Sequence, residues 1–409
     1  GRDYATSVII GLGGPANTLD LLETFAPGID AGESFADGRG VQEKFTQENQ
    51  ALSFFGQTDW HINEALTMTF GLNYTQDEKE LTFEQTNTDT FAGLDLSTVL
   101  GGALSSLAPL QFLEPRVGYP NSVEDGKTDD SDTTYSLRLA WDINDNINVY
   151  ASTATGFKAS SWNITRDTSP FPSDIAALDA AGLTSHAPSL SAGTRYASPE
   201  EATVFELGLK ANFERGSLNL AVFDQTIEGF QSALFKGTGF ELSNAGEQST
   251  QGIEFDAVYY PIDSLKLTLS GMLLDPIYDS YEEGRDENGP ADLSGQKPAG
   301  IHEVSLATSI TYEFEMGSNE AYIRGDYQFE DEVKVVDNVS AELASREVKQ
   351  LNLGAGMTTP DGLSVNVWVK NATDQNYLIS AFPTPAQTGS FQGYPNQPRT
   401  FGVGVKQNF

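Results

Sequence analysis

The sequence predicts an all-β protein, an antiparallel β-barrel that crosses a membrane with its strands. Three observations predict it. Apolar and polar residues alternate in long runs, short turns and long loops alternate between the runs, and aromatic residues collect beside the short turns.

The alternation is clearest where one face is nearly all apolar. Thr203, Phe205, Leu207, Leu209, Ala211 and Phe213 oppose Glu206, Gly208, Lys210 and Asn212. Leu265, Leu267, Leu269, Gly271 and Leu273 form another such face. Val304, Leu306, Thr308, Ile310, Tyr312 and Phe314, led by His302, oppose Glu303, Ser305, Ala307 and Ser309. Ala321, Ile323, Gly325, Tyr327 and Phe329 oppose Arg324, Asp326 and Gln328, and Leu363, Val365, Val367 and Val369 oppose Ser364, Asn366 and Lys370. Thirteen segments follow this rule, near 48–60, 64–80, 130–142, 146–157, 200–213, 216–231, 248–260, 264–280, 301–314, 319–331, 347–358, 362–371 and 399–409. Many exceed the roughly 5–6 residues of a soluble strand and suit the roughly 9–11 that cross a bilayer.

Turn-forming residues join alternate pairs, at Asn63-Glu64, Asn144-Asp145, Arg215-Gly216, Pro261-Ile262-Asp263, Gly317-Ser318 and Pro360-Asp361-Gly362. Between them lie the long connections 81–129, 158–199, 232–247, 281–300, 332–346 and 372–398. Short periplasmic turns and long extracellular loops produce this alternation in a barrel. Trp60, Trp141, Phe213, Tyr259, Tyr260, Tyr312 and Phe314 precede short turns, as a periplasmic aromatic girdle would. Short helices are expected near 95–108 and 174–181.

Composition removes several alternatives. The net charge of −35, from 58 acidic and 23 basic residues, makes nucleic acid a poor partner. The acidic clusters at 77–80, 129–132 and 282–283 read as solvated loops. Zero cysteines exclude disulfides and thiolate metal sites. Mean hydropathy is −0.32 and no run is apolar enough for a membrane helix, which a barrel with a polar lumen tolerates. His61, His186 and His302 form no metal motif; His61 and His302 read as interface or rim residues. Gly11-Leu12-Gly13-Gly14 lacks the Lys-Ser or Lys-Thr of a phosphate loop, and no GxSxG is present. No enzyme activity and no cofactor are expected.

Five motifs, in order, resemble the barrel of TonB-dependent receptors. They are the 148–160 stretch around Tyr150-Ala151-Ser152 and Gly156-Phe157-Lys158, Glu206 to Lys210 (ELGLK), Asn244-Ala245-Gly246 with Gln251 to Glu254, Asn371 to Tyr377, and Pro398 to Val403. The resemblance implies outer-membrane location, 22 strands, and an N-terminal plug that contacts TonB-ExbB-ExbD. Thirteen strands would be the last part of such a barrel, so the plug and first strands are expected to lie outside this sequence. Residues 1–50 would be the end of an earlier strand plus an extracellular loop, and 51–409 the barrel. Phe409, with Phe401, Val403 and Val405, is similar to the assembly signal read by the barrel-assembly machinery, although Gln407 departs from the usual aromatic.

The implied function is active import of a scarce nutrient, foremost a ferric siderophore or other iron chelate. Oligosaccharide, cobalamin or another organic nutrient is the alternative cargo, and a passive porin or structural barrel the alternative class. Partners would be membrane lipid and a small-molecule ligand. Loops on a rigid scaffold carry binding residues. In the 158–199 loop, Trp162, Arg166, Phe171, Arg195 and Tyr196 could hold an anionic chelate or a sugar ring.

Overall fold

The computed structural model describes residues 2–11, 14–26, 28–88, 90–94, 96, 98–103, 126–164, 196–235, 240–384 and 390–408. Thirteen strands form one antiparallel sheet in which each pairs with its neighbours in sequence. They are β1 (Val41–His61), β2 (Leu66–Asn87), β3 (Lys127–Asn144), β4 (Ile147–Lys158), β5 (Glu200–Phe213), β6 (Gly216–Glu228) and β7 (Glu247–Ile262). Then follow β8 (Leu265–Ser280), β9 (Val304–Met316), β10 (Asn319–Lys334), β11 (Ser345–Thr358), β12 (Leu363–Lys370) and β13 (Thr400–Gln407). Each corresponds to one alternating segment of the sequence. The differences fall at the long-loop end. There β1 starts before the expected residue 48, and β2 runs past residue 80 to Asn87. Here Gln42–Gln50 pair in register with Glu78–Thr86, held by the backbone ladder. Strand that extends beyond a bilayer need not carry the apolar alternation that betrays a half-buried one.

Register explains why alternation in one strand becomes one surface of the sheet. Opposed residues in an antiparallel pair share a face. Leu139, Ala151, Leu207, Val222, Ile253, Leu273 and Val304 therefore form one row across seven strands. Ile323, Ala355, Val367 and Val403 continue the surface. Leu207 is 59% exposed and Val403 69%. A continuous apolar surface of this extent is costly in water at about 25 cal/mol per Å² and is matched by hydrocarbon. No described helix is long and apolar enough to cross a membrane; the strands supply the crossing surface.

The short turns match the expected positions. Asn63 Oδ1 accepts from the backbone N–H of Ala65 and Leu66, closing the β1–β2 turn. Gly317 and Gly362 have φ of +70° and +86°, which glycine adopts without Cβ strain. At the opposite end the loops carry their own structure. Ribbons 161–162/196–197, 231–235/240–244, 284–286/289–291 and 378–383/391–395 project from the sheet.

Residues preceding β1 hold two helices, α1 (Arg2–Gly11) and α2 (Thr18–Phe25). Ala5, Ile9, Leu19 and Leu22 bury a core with Phe35 and with Phe91, Leu96 and Val99 from the β2–β3 loop. Beside that core Arg2 donates to Glu23 at 2.5 Å and to Asp20 at 2.6 Å. The backbone N–H groups of Gly32 and Ser34 also donate to Glu23. Burial raises the Glu23 carboxyl, but these hydrogen bonds outweigh it and bring it down to about 2. Of the helix expected near 95–108, the described residues include a 3-10 turn at Val99–Gly102, while 95, 97, 104–108 and 174–181 lie outside the described residues.

Candidate functional site

The face opposite the apolar one is polar and built on strand pairs. Tyr150 on β4 lies across Gly208 of β5, where a Cβ would stand 2.2 Å from the ring. The ring therefore lies flat on the wall. In that position its hydroxyl donates to Glu206 at 2.7 Å, and Arg138 sits 4.3 Å from the ring centroid. The same device recurs, with Phe223 over Gly252, Tyr322 over Gly356 and Trp368 over Gly402. Each glycine gives an opposed aromatic room to fold down, which keeps large rings out of the interior. Asp256 accepts from Asn219 at 3.3 Å and from Ser270 at 3.2 Å. A groove of about 450 Å³ runs over this wall between Tyr150, Glu206, Lys210, Glu254, Asp256 and Met272. Its charged donors and acceptors suit a polar segment or solute.

At the long-loop end, motif residues prove to be staples. Asn244 donates to the carbonyls of Ser198 and Gly229 and accepts from the Ser198 N–H, tying the β4–β5 and β6–β7 loops. Asn371 is buried at φ +50°. Its amide donates to the carbonyls of Gln375 and Gln397, and its oxygen accepts from the Gln375 N–H. Asp374 then accepts from the Arg399 N–H, joining the last loop to β13. Asparagine tolerates the left-handed region and can donate and accept at once.

His302, expected to begin a strand at the rim, lies just before β9 with its side chain 8% exposed. Its Nδ1 is 2.7 Å from the Asp331 carbonyl, which can only accept, so that nitrogen carries the proton. Arg346 donates to Nε2 and to the Ile379 carbonyl. Glu330 approaches Nε2 to 2.9 Å. This cluster joins the approach to β9, the end of β10, the start of β11 and the last loop. Nearby, Asp337 accepts from the Tyr278 hydroxyl at 3.3 Å and from the Ala299 N–H at 3.3 Å. Burial raises its carboxyl above the ordinary range, against the opposing pull of Lys334 and these donors.

Of the loop residues singled out by sequence, the structure brings Trp162 and Tyr196 together. They lie on paired two-residue strands with ring centroids 4.9 Å apart. Trp162 is buried and its Nε1 donates to Thr128 at 3.3 Å. Arg166, Phe171, Arg195 and the terminal Phe409 lie outside the described residues. Trp60, Trp141, Phe213, Tyr259, Tyr260 and Tyr312 are exposed beside the short turns, and Tyr312 stacks on Phe314 at 5.7 Å. Phe401, Val403 and Val405 are exposed along β13. Among the described residues no group of three or more His, Asp or Glu side chains could hold a metal. Tyr150 and Glu206 fall in two of the family-like motifs and His302 is singled out by sequence, but the association of either cluster had no local sequence signal. The first needed cross-strand register, the second the meeting of the end of β10, the start of β11 and the last loop.

An outer surface for hydrocarbon, a polar inner wall and a stapled crown of loops define a strand-crossing membrane barrel. The family model described as TonB dependent receptor-like, beta-barrel, matches residues 7–372, and the chain belongs to this family of outer-membrane transport receptors. The fold is shared with the ferric yersiniabactin uptake receptor FyuA from Yersinia pestis, at 14% identity and TM-score 0.65, over 90% of this chain and 47% of that one. It is shared also with the siderophore receptor PiuA from Acinetobacter baumannii, at 15% identity and TM-score 0.59, over 88% and 43%. The copper transporter OprC matches at 14% identity and TM-score 0.57, over 88% and 47%. The chain thus spans less than half the length of each of these receptors.

Proposed function

We propose that this chain forms the wall and extracellular crown of an active-transport receptor that imports a scarce metal as its chelate, with a ferric siderophore foremost. The observation that carries the reading is the match to the receptor barrel over residues 7–372. Solved receptors of the same fold named for ferric yersiniabactin and for a siderophore support the cargo class. In this reading the exposed aromatics at the short turns sit at the periplasmic interface of the bilayer. Phe401, Val403, Val405 and Phe409 serve recognition by the barrel-assembly machinery. Trp162 and Tyr196 anchor the 163–195 loop, whose Arg166, Phe171 and Arg195 contribute contacts to the ligand. Energy would arrive from TonB-ExbB-ExbD through a plug domain.

Radiolabelled iron uptake by cells carrying the full receptor gene tests this, with and without a functional TonB. Uptake that is lost without TonB supports the reading. Uptake that persists would identify a passive pore, and TonB-dependent uptake of a copper complex or glycan in place of iron would move the cargo.

A further inference from the structure

The hairpin between β8 and β9 leaves one arginine conspicuously unsatisfied. Arg285 lies on the 284–286/289–291 ribbon and is flanked in sequence by Asp286 and Glu287. In a chain with 58 acidic residues and 23 basic ones, a guanidinium beside two carboxylates would ordinarily pair with one. Both are engaged by other donors. Asp286 closes the hairpin turn, accepting from the backbone N–H of Asn288 at 2.7 Å and of Gly289 at 3.1 Å. Glu287 accepts from Lys334 at 3.3 Å. The other cations of these loops are occupied: Lys297 with Glu303, Arg346 with His302 and Glu330, Arg399 with Asp374. Among the described residues the Arg285 side chain has no hydrogen-bond or ion-pair partner.

Arg285, half-buried, lines a cleft of about 380 Å³ where three loops meet. The 338–343 loop contributes Val339, and the last loop contributes Pro383, Thr384 and Phe391. Its volume falls in the roughly 300–1,000 Å³ range of small-molecule pockets. One side therefore offers the planar N–H fork of arginine, which matches a carboxylate or phosphate in two parallel hydrogen bonds. The other offers an aromatic and aliphatic wall. Asp286 and Glu287 border the same cleft, but the first is engaged by backbone N–H groups and the second by Lys334, which leaves the Arg285 guanidinium as the unpaired charge there.

We infer that this cleft binds a compact oxyanion carried on an apolar or aromatic body, with Arg285 receiving the anionic group and Phe391 packing against the body. On the receptor reading proposed above, the ligand is the acidic end of the imported chelate. Specificity for acidic over neutral chelates then resides in the β8–β9 hairpin rather than in the 163–195 loop.

The test uses the full receptor in detergent and 2,3-dihydroxybenzoate, an aromatic carboxylate needing no iron, read by saturation-transfer NMR. Binding to the wild type is expected, weakened roughly 10- to 100-fold by Arg285→Gln. Arg285→Lys should retain part of it, and Phe391→Ala should weaken it with the charge intact. Lys297→Gln, outside the cleft, serves as the control. Unchanged heat-modifiable gel migration shows that each variant is folded. No carboxylate binding to the wild type, or equal binding to Arg285→Gln, overturns the proposal. A parallel arm uses the ferric complex of the same acid. If the free acid binds through Arg285 while no ferric complex binds or is imported, the anion site stands and the iron reading falls.

Discussion

Replacing Gly208 by alanine tests whether the flat aromatic wall is an energetic device. The new Cβ would lie 2.2 Å from Tyr150 Cζ, whereas ordinary contact begins near 3.4 Å, so the ring must retreat by more than 1 Å. It cannot move into the β5 backbone and must lift into the interior. Lifting breaks the 2.7 Å bond to Glu206 and separates the ring from Arg138. A hydrogen bond to a charged acceptor contributes about 1.5–3 kcal/mol and a cation–π contact about 0.5–1 kcal/mol. Against this, alanine gains about 0.5–1 kcal/mol over glycine in backbone entropy. The expected net loss is about 1–3 kcal/mol. Reversible urea unfolding of the lipid-reconstituted protein measures it. The cycle partner is Tyr150→Ala, in whose background Gly208→Ala should be neutral or slightly stabilising. A full loss in that background would show that the wall, not the ring, resents the methyl group. No loss in the wild type would refute the reasoning.

Three further outcomes follow from the loops. The helical cap of residues 2–35 depends on ionised Glu23. Its carboxyl is lowered from 4.5 to about 2, so its stabilisation of about 3 kcal/mol is present above pH 4.5 and lost as pH falls toward 2. Hydrogen exchange of the α1–α2 peptides should show this acid release, and Glu23→Gln should remove the pH dependence while lowering protection at pH 7. Asp337 behaves oppositely. Its raised carboxyl makes the contact between the 281–303 and 335–344 segments firmest below the ordinary carboxylate range and weaker as pH rises through the raised value. Proteolysis of those loops should accelerate over that interval in the wild type and not in Asp337→Asn. Asn371→Ala loses three hydrogen bonds and the tolerance of φ +50°, about 3 kcal/mol together, and should expose 372–398 to protease. Asn371→Gly restores the backbone freedom alone and should recover about 1 kcal/mol of the loss.

The strands were legible because lipid imposes a two-residue period on any segment half facing it, and register then has little freedom to slip. Leu207 and Val403 announce their face without help from any partner. The ends of β1 and β2 were not legible, since strand beyond the bilayer has no face that must be apolar. The same limit applies to the site. Asn371 is visible in the sequence as part of a motif, yet its role depends on the carbonyl of Gln397, 26 residues away. His302 carries no periodic signal, because its partners arrive from the end of β10, the start of β11 and the last loop.

The loops also show why charge composition could not identify a ligand. Acidic residues outnumber basic ones by 35, so the bulk composition suggests affinity for cations. Yet a carboxylate binds a visitor only where its own donors leave it free, and the loop carboxylates Asp286, Glu287, Asp337 and Asp374 are each engaged by backbone N–H groups or by cations of this chain. At these four positions acid supplies internal fastening. The selective contact then falls to a residue type in short supply, and among the described residues Arg285 is a cation in a loop cleft without a side-chain partner. In a strongly acidic receptor, the scarce unpaired charge is a better guide to the ligand than the abundant one.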